Sequence, residues 1–292
     1  MRYDIRLNID YTYSQPTDRT RNLLRIIPCD LRETQVVEDW SLALSPTPSE
    51  QQNFVDFYGN TVTCAVWHYP IKEVKIAMKV RAERTTVPPL LSLASPLSQM
   101  HKELANCRDI SPTSPLHFTA PSRRAPANKD MTAFARAFLT PSMTAPEAVQ
   151  TIGAAIHREM TYSDKATDVD TPAAEAFEKR AGVCQDFSHI MITCLRAIGI
   201  PAGYVSGFLR TFPAPGKEKL VGVDAMHAWI CAWVGPEIGW IEFDPTNNQT
   251  INSDYITIGY GCDYDDVAPV YGAMRGAGDQ TSEQSVDVSV IQ

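Results

Sequence analysis

Cys184 has the setting of a nucleophilic thiol. It follows Ala181-Gly182-Val183 and opens a run whose apolar residues, Phe187, Met191, Leu195 and Ile198, recur at helical spacing. The thiol is therefore expected at a helix N-terminus, on the buried side. Unpaired backbone N–H groups and the helix dipole stabilise an anion there, so the thiolate, the nucleophilic form, is favoured. Taken alone, the cysteine is more often an inert small hydrophobe. His227 changes that balance. It begins His227-Ala228-Trp229-Ile230-Cys231-Ala232-Trp233-Val234, a stretch apolar on both faces that reads as a central strand. A histidine at a strand mouth is commonly a hydrogen-bonded core residue, but Asp244 ends the next predicted strand, Trp240-Ile241-Glu242-Phe243-Asp244, just before Pro245. The connecting Gly235-Pro236-Glu237-Ile238-Gly239 predicts a hairpin with His227 and Asp244 toward one end. Nucleophile, base and orienting carboxylate then follow in the order Cys, His, Asp. The imidazole would act as general base and later as general acid, while the carboxylate fixes its tautomer and supports the imidazolium. Register is the condition: Asp244 shares a face with His227 only if paired positions sum to an odd number.

The elements that must hold these residues can be read from periodicity. From Tyr3 to Tyr13 every odd position is apolar or aromatic and every even one polar, the pattern of a half-buried strand. The same alternation recurs from Val74 to Ala82 and, more weakly, from Val62 to Tyr69 after the Gly59-Asn60 turn signal. Residues 1–84 are expected to form an antiparallel, sandwich-like β domain. Prolines punctuate 85–129, an inter-domain connection with a short helix at Ser98–Asn106. From residue 130 the period becomes helical, with helices expected at 131–139, 145–160, 172–179 and 184–198. Strands follow at 202–210, 227–234, 240–243 and 255–260. Helices first and strands afterwards make 130–292 an α+β core rather than a doubly wound sheet. The end from Asp279 could be a frayed tail or a last edge strand.

Composition narrows the classes. The chain has 292 residues, 44% of them hydrophobic, which is enough for a buried core in two domains and argues against disorder. A net charge of -8 makes an electrostatic binder of nucleic acid or anionic membrane a poor expectation. No stretch is long and apolar enough to span a bilayer, and Met1-Arg2-Tyr3-Asp4 does not resemble a signal peptide, so a cytoplasmic location is expected. The seven cysteines are scattered without a C-x-x-C pair, against a disulfide framework or structural zinc.

Other candidates carry less chemistry. Cys194 and Cys231 read as core residues. His189 lies about 140° round the helix from Cys184, suited to a structural hydrogen bond. Asp186 suits the dipole in the first helical turn. The backbone N–H of Cys184 is a natural oxyanion donor, with Tyr162 a candidate for the second. Trp229, Trp233 and Trp240 read as core or site walls. Asp263, Asp265 and Asp266 lack the glycine and terminal glutamate of a calcium loop and are expected in a solvated turn.

Three strings give a more specific lead: Gly182-Val183-Cys184-Gln185-Asp186-Phe187-Ser188-His189, Asp224-Ala225-Met226-His227-Ala228-Trp229, and Gly239-Trp240-Ile241-Glu242-Phe243-Asp244-Pro245-Thr246-Asn247. In that order they resemble the cysteine, histidine and aspartate motifs of the bacterial transglutaminase-like superfamily of cysteine proteases. The region 1–84, with Leu23-Leu24-Arg25-Ile26-Ile27-Pro28 and Asp56-Phe57-Tyr58-Gly59-Asn60, is similar to the β domain that precedes this core. The resemblance implies a papain-related fold with the catalytic helix packed on an antiparallel sheet. It also implies Cys184 as nucleophile, His227 as base and Asp244 as orienter. The histidine lies 43 residues beyond the cysteine, unlike the roughly 130–150 of papain itself. Cys262, in Gly261-Cys262-Asp263-Tyr264, departs from the family's Gly-Arg-Asp-Tyr and bears on substrate class.

The expected activity is acyl transfer at an amide or peptide bond through a thioester, hydrolysis being favoured over transglutaminase cross-linking. The substrate would be a peptide, a protein or a small amide, and no metal or organic cofactor is called for. The competing class is a binding or scaffolding protein that keeps the fold without turnover. Oligomeric state has no signal in the sequence.

Overall fold

The structure, a computed structural model, describes residues 1–88, 93–212, 224–276 and 278–291. Residues 89–92, inside the predicted connection, lie outside that set.

The N-terminal half contributes β1 (Arg2–Thr17), β2 (Arg19–Leu24), β3 (Gln35–Ser45), β4 (Glu50–Val55), β5 (Thr61–Trp67) and β6 (Ile71–Arg84). In β1 the odd residues Tyr3, Ile5, Leu7 and Ile9 are buried and the even residues face outward, as the period of two requires. β3 and β4 gave no such signal for a physical reason. β4 is exposed along its whole length and β3 along most of it, so neither had a buried face to write into its sequence.

The remainder runs α1 (Met100–Asn106), α2 (Lys129–Ala137), α3 (Ala145–Glu159), β7 (Thr161–Tyr162), α4 (Ala173–Lys179), β8 (Ala181–Gly182) and α5 (Cys184–Ala197). It continues with β9 (Ala202–Leu209), β10 (Ala225–Trp233), β11 (Trp240–Asp244), β12 (Gln249–Thr250), β13 (Tyr255–Gly261) and α6 (Tyr264–Val267), and ends with β14 (Val270–Arg275) and β15 (Gln280–Ile291). The architecture is α+β.

Three antiparallel sheets organise the molecule, in the orders β15-β1-β6-β3, β14-β2-β5-β4 and β12-β11-β10-β9-β13. The first two enclose one core, in which Tyr3, Ile5 and Met78 meet Leu24, Ala65 and Trp67. Phe208, Ile256 and Ile258, from β9 and β13, belong to that same core, so the sandwich and the five-stranded sheet share buried surface. The Asp279 end is an edge strand rather than a frayed tail: β15 pairs with β1 from Arg2↔Ile291 to Tyr13↔Gln280, and β14 pairs with β2. Residues 270–291 thus complete both sheets of the sandwich although they follow the core in sequence.

The second core lies between the helices and the five-stranded sheet. Phe187, Ile190, Met191 and Leu195 of α5 are all at most 1% exposed and pack with Ala228, Ile230 and Ala232 of β10. Burying each such large side chain contributes roughly 1.5–3 kcal/mol, enough to anchor the helix firmly on the sheet. Among the described residues no helix is long and apolar enough to cross a membrane.

Candidate active site

Cys184 is the first residue of α5, and its approach is held by several contacts. β7 and β8 pair in parallel, setting Tyr162 beside Gly182 and Thr161 beside Ala181. Val183 caps the helix without a side-chain acceptor of its own, so only half of a capping box can form. Asp186 supplies that half: its Oδ2 accepts the Val183 N–H at 2.8 Å and the Thr167 hydroxyl at 2.6 Å. Gly182 is required by this arrangement, because a Cβ there would sit 2.4 Å from Asp186 Oδ2. Burial raises the Asp186 carboxyl above its ordinary range, and the two hydrogen bonds offset only part of that. Cys184 itself is partly buried, packed at the margin of the helix–sheet core.

The hairpin of β10 and β11 carries the other two residues. Ile230↔Phe243 and Trp233↔Trp240 meet the odd-sum condition, and Asp244 consequently falls on the face of His227. His227 Nε2 lies 2.7 Å from Asp244 Oδ2. A carboxylate only accepts, so Nε2 carries the proton, and Nδ1 is the nitrogen left for the thiol. Burial of the ring disfavours its charged form. Hydrogen bonds to Asp244 and Cys184, with the charges on both, outweigh that and raise the imidazole to about 10. The three predicted residues are therefore brought together, with His227 between Cys184 and Asp244.

Asp244 is fully buried and heavily solvated by protein donors. Its Oδ1 accepts the backbone N–H of Thr246 at 2.7 Å and of Asn247 at 3.1 Å. Its Oδ2 accepts from Asn247 Nδ2 at 2.6 Å and Tyr255 OH at 2.8 Å, besides His227. Burial alone would raise this carboxyl; His227, then Asn247 and Tyr255, hold it below the ordinary range. Sequence reasoning missed both supporting side chains as parts of the site. Asn247 was within reach of sequence reading, three residues beyond Asp244 in Asp-Pro-Thr-Asn; Tyr255 was not, because its place depends on β13 crossing back to the sheet. Tyr255 also packs edge-on against Trp229, 5.3 Å between ring centres, and Trp229 fills the space above Gly207.

Other candidates take structural places. His189 is buried, accepts the Tyr264 N–H through Nε2 at 3.2 Å and is held neutral, pushed down to about 4 by burial. Cys194 and Cys231 are core residues whose thiols burial pushes up. Cys262 contacts the Tyr58 hydroxyl at 3.1 Å and the His117 carbonyl at 3.2 Å. The acidic trio departs from the expected solvated turn. Asp263 is 3% exposed and caps α6, Asp265 pairs with Arg123 and Arg124, and Asp266 accepts the Cys262 N–H. Its carboxylates face backbone donors and arginines because α6 is packed against the sheet. Among the described residues no three His, Cys, Asp or Glu side chains converge as a metal cluster. Trp229 is fully buried, and its indole N–H donates to Glu242 at 2.7 Å.

The chain matches known proteins in sequence and in fold. Residues 132–245 match the family described as transglutaminase-like superfamily, and residues 3–83 match the bacterial transglutaminase-like N-terminal region. An uncharacterised protein of Mycobacterium tuberculosis is 32% identical across 99% of this chain and 91% of its own length. A protein-glutamine gamma-glutamyltransferase of Pseudomonas aeruginosa is 38% identical over 93 residues, 31% of this chain and 14% of that protein. In fold, a crystal structure of a candidate cysteine protease from Cytophaga hutchinsonii superposes with a TM-score of 0.74 at 22% identity, covering 99% of this chain and 90% of that one.

Proposed function

Because the chain belongs to the transglutaminase-like superfamily, with the bacterial N-terminal region ahead of its core, we propose that it is a cysteine-dependent enzyme acting on an amide or peptide bond. The observation that carries this reading is the largely buried His227, engaged by Asp244 on one side and by the Cys184 thiol on the other. A core histidine kept for packing alone would be neutral, as His189 is; this one is built to hold a proton.

In the proposed reaction Cys184 Sγ attacks the substrate carbonyl carbon, its proton having passed to His227 Nδ1. Asp244 supports the imidazolium and keeps the Nε2 proton in place, leaving Nδ1 to exchange protons with the reacting groups. The carbonyl oxygen gains negative charge at the N-terminus of α5, where the Cys184 N–H is a donor and the Tyr162 hydroxyl the candidate second. The C–N bond then breaks, His227 protonates the leaving amine, and a thioester remains on Cys184. Water resolves it in hydrolysis, another amine in cross-linking. We favour hydrolysis, because Cys184 is only partly buried, which leaves water a route to the thioester. The local match to a gamma-glutamyltransferase keeps transamidation as the second outcome.

The test is the pH dependence of iodoacetamide labelling at Cys184, located by mass spectrometry, in wild type and in His227→Ala. Fast labelling near about pH 6 that slows in the variant supports the histidine-activated thiolate. Labelling confined to alkaline pH in both proteins would overturn it and favour a scaffold role. Ammonia or amine release from peptides, scored beside incorporation of a fluorescent primary amine, then separates hydrolysis from transamidation.

A further inference from the structure

Where β6 ends, a buried charge stands without its opposite. Arg84 is 5% exposed. Its Nε has no hydrogen-bond partner, and Nη1 reaches only the Thr34 hydroxyl, at 3.5 Å. A guanidinium cannot shed its proton, so burying it without an anion is costly, and native proteins rarely do so. Arg84 lines a cavity of about 220 Å³ together with Thr34, Thr85, Trp240, Glu242 and Thr250. Neither Cys184 nor His227 lines it.

Glu242 is the complementary half. Its carboxylate accepts from Trp229 Nε1 and from Tyr260 OH, both neutral donors at 2.7 Å. Two oxygens offer about four acceptor positions, so capacity remains. Among the described residues neither Arg84 nor Glu242 has an ion-pair partner. One cavity thus presents a cation and an anion that do not pair with each other, with Trp240 lining the same space.

We propose that this cavity binds a small zwitterion of the α-amino-acid class, its carboxylate on Arg84 and its ammonium on Glu242. Size agrees with the assignment. A sphere of the cavity's volume is about 7.5 Å across, and a hydrogen bond of about 2.8 Å at each end of an adjacent carboxylate and ammonium spans roughly that distance. The guanidinium fork suits a planar carboxylate, and the Thr34 and Thr250 hydroxyls at the cavity wall can donate to it, while the Thr85 hydroxyl is already committed to the Glu33 carbonyl. The site joins the end of the N-terminal module to the β11–β12 edge of the core sheet. It does not depend on the acyl-transfer reading.

Calorimetric titration of the full-length Cys184→Ala protein tests this with three probes. L-Leucine carries both charges, N-acetyl-L-leucine only the carboxylate and L-leucinol only the ammonium. Binding of L-leucine is expected, with each single-charge analogue at least about tenfold weaker, the cost of one charged hydrogen-bonded contact. Arg84→Met should abolish L-leucine binding while raising the melting temperature, since it removes an uncompensated buried charge; Glu242→Gln should weaken L-leucine toward the acetyl analogue. The proposal is overturned if L-leucine shows no binding up to about 10 mM in the unmodified cavity. Equal affinity for all three probes, or binding that persists in Arg84→Met, overturns it equally.

Discussion

Replacing Asp244 by Asn probes the site with the smallest change of shape. In the wild type Asp244 Oδ2 accepts three donors, His227 Nε2, Asn247 Nδ2 and Tyr255 OH, while Oδ1 accepts two backbone N–H groups. An asparagine can keep its oxygen toward the backbone pair only by turning its NH2 toward the other three. Asn247 Nδ2 must then turn away or lose its partner, and the Tyr255 hydroxyl must change from donor to acceptor, at about 1–3 kcal/mol for each buried group left unsatisfied. His227 responds differently, because its ring can change tautomer. Nε2 becomes an acceptor for the new amide, and the proton moves to Nδ1, the nitrogen that must receive the thiol proton. The charge effect points the same way. Raising the imidazole from its ordinary 6.5 to about 10 corresponds to roughly 5 kcal/mol net, what remains after Asp244 and Cys184 have overcome the opposing effect of burial. Without Asp244 burial has far less to oppose it, and the ring should titrate well below its wild-type position. Labelling the histidines with 15N and following the ring shifts with pH reads this directly. In wild type His227 should stay protonated through pH 8 and titrate near 10. The stability linked to that proton is full below the unfolded value near 6.5 and is lost as pH rises through about 10. Iodoacetamide labelling of Asp244→Asn at neutral pH should slow by about a hundredfold. A His227 signal that titrates near neutrality in wild type, or that Asp244→Asn leaves in place, refutes the assigned pairing.

Gly182→Ala should displace the N-terminus of α5, because its Cβ meets Asp186 at 2.4 Å; a loss of about 1–3 kcal/mol in urea unfolding is expected with slower Cys184 labelling. Gly207→Ala meets both the Trp229 ring at 2.2 Å and the Ile256 carbonyl at 2.4 Å, so it should destabilise at least as much, and an unchanged melting temperature would contradict the packing described. His189 is held neutral down to about 4, so its contribution is present above the unfolded value near 6.5 and is lost as pH falls toward 4. His189→Gln, which can still accept the Tyr264 N–H, should flatten that part of the stability profile. Tyr162→Phe should lower turnover more than it changes KM if its hydroxyl meets the oxyanion, and leave Cys184 labelling unaltered.

Local patterns alone determined a good part of this molecule. The alternation in Tyr3–Tyr13 and Val74–Ala82 announced the central strands of the first sheet, since each buries one face against a core. The helical stripe after Cys184 announced α5 and put the thiol at its first turn, and the Gly-Pro to Gly connection announced the β10–β11 hairpin. Chemistry followed because Cys184 opens α5, Asp244 closes β11 and His227 lies near the start of β10, where local sequence marks a boundary. What tertiary structure alone decided is what depends on register or on distant partners. The sequence allowed both parities of the hairpin, and only the observed register puts Asp244 on the face of His227. β3 and β4 were silent because an exposed edge strand has no face to bury. The return of β14 and β15 to the N-terminal sheets, the arrival of Tyr255 at Asp244, and the meeting of Arg84 with Glu242 in one cavity join residues far apart in the chain. No local periodicity records such meetings, because each is set by how whole sheets pack and not by any residue's neighbours in sequence.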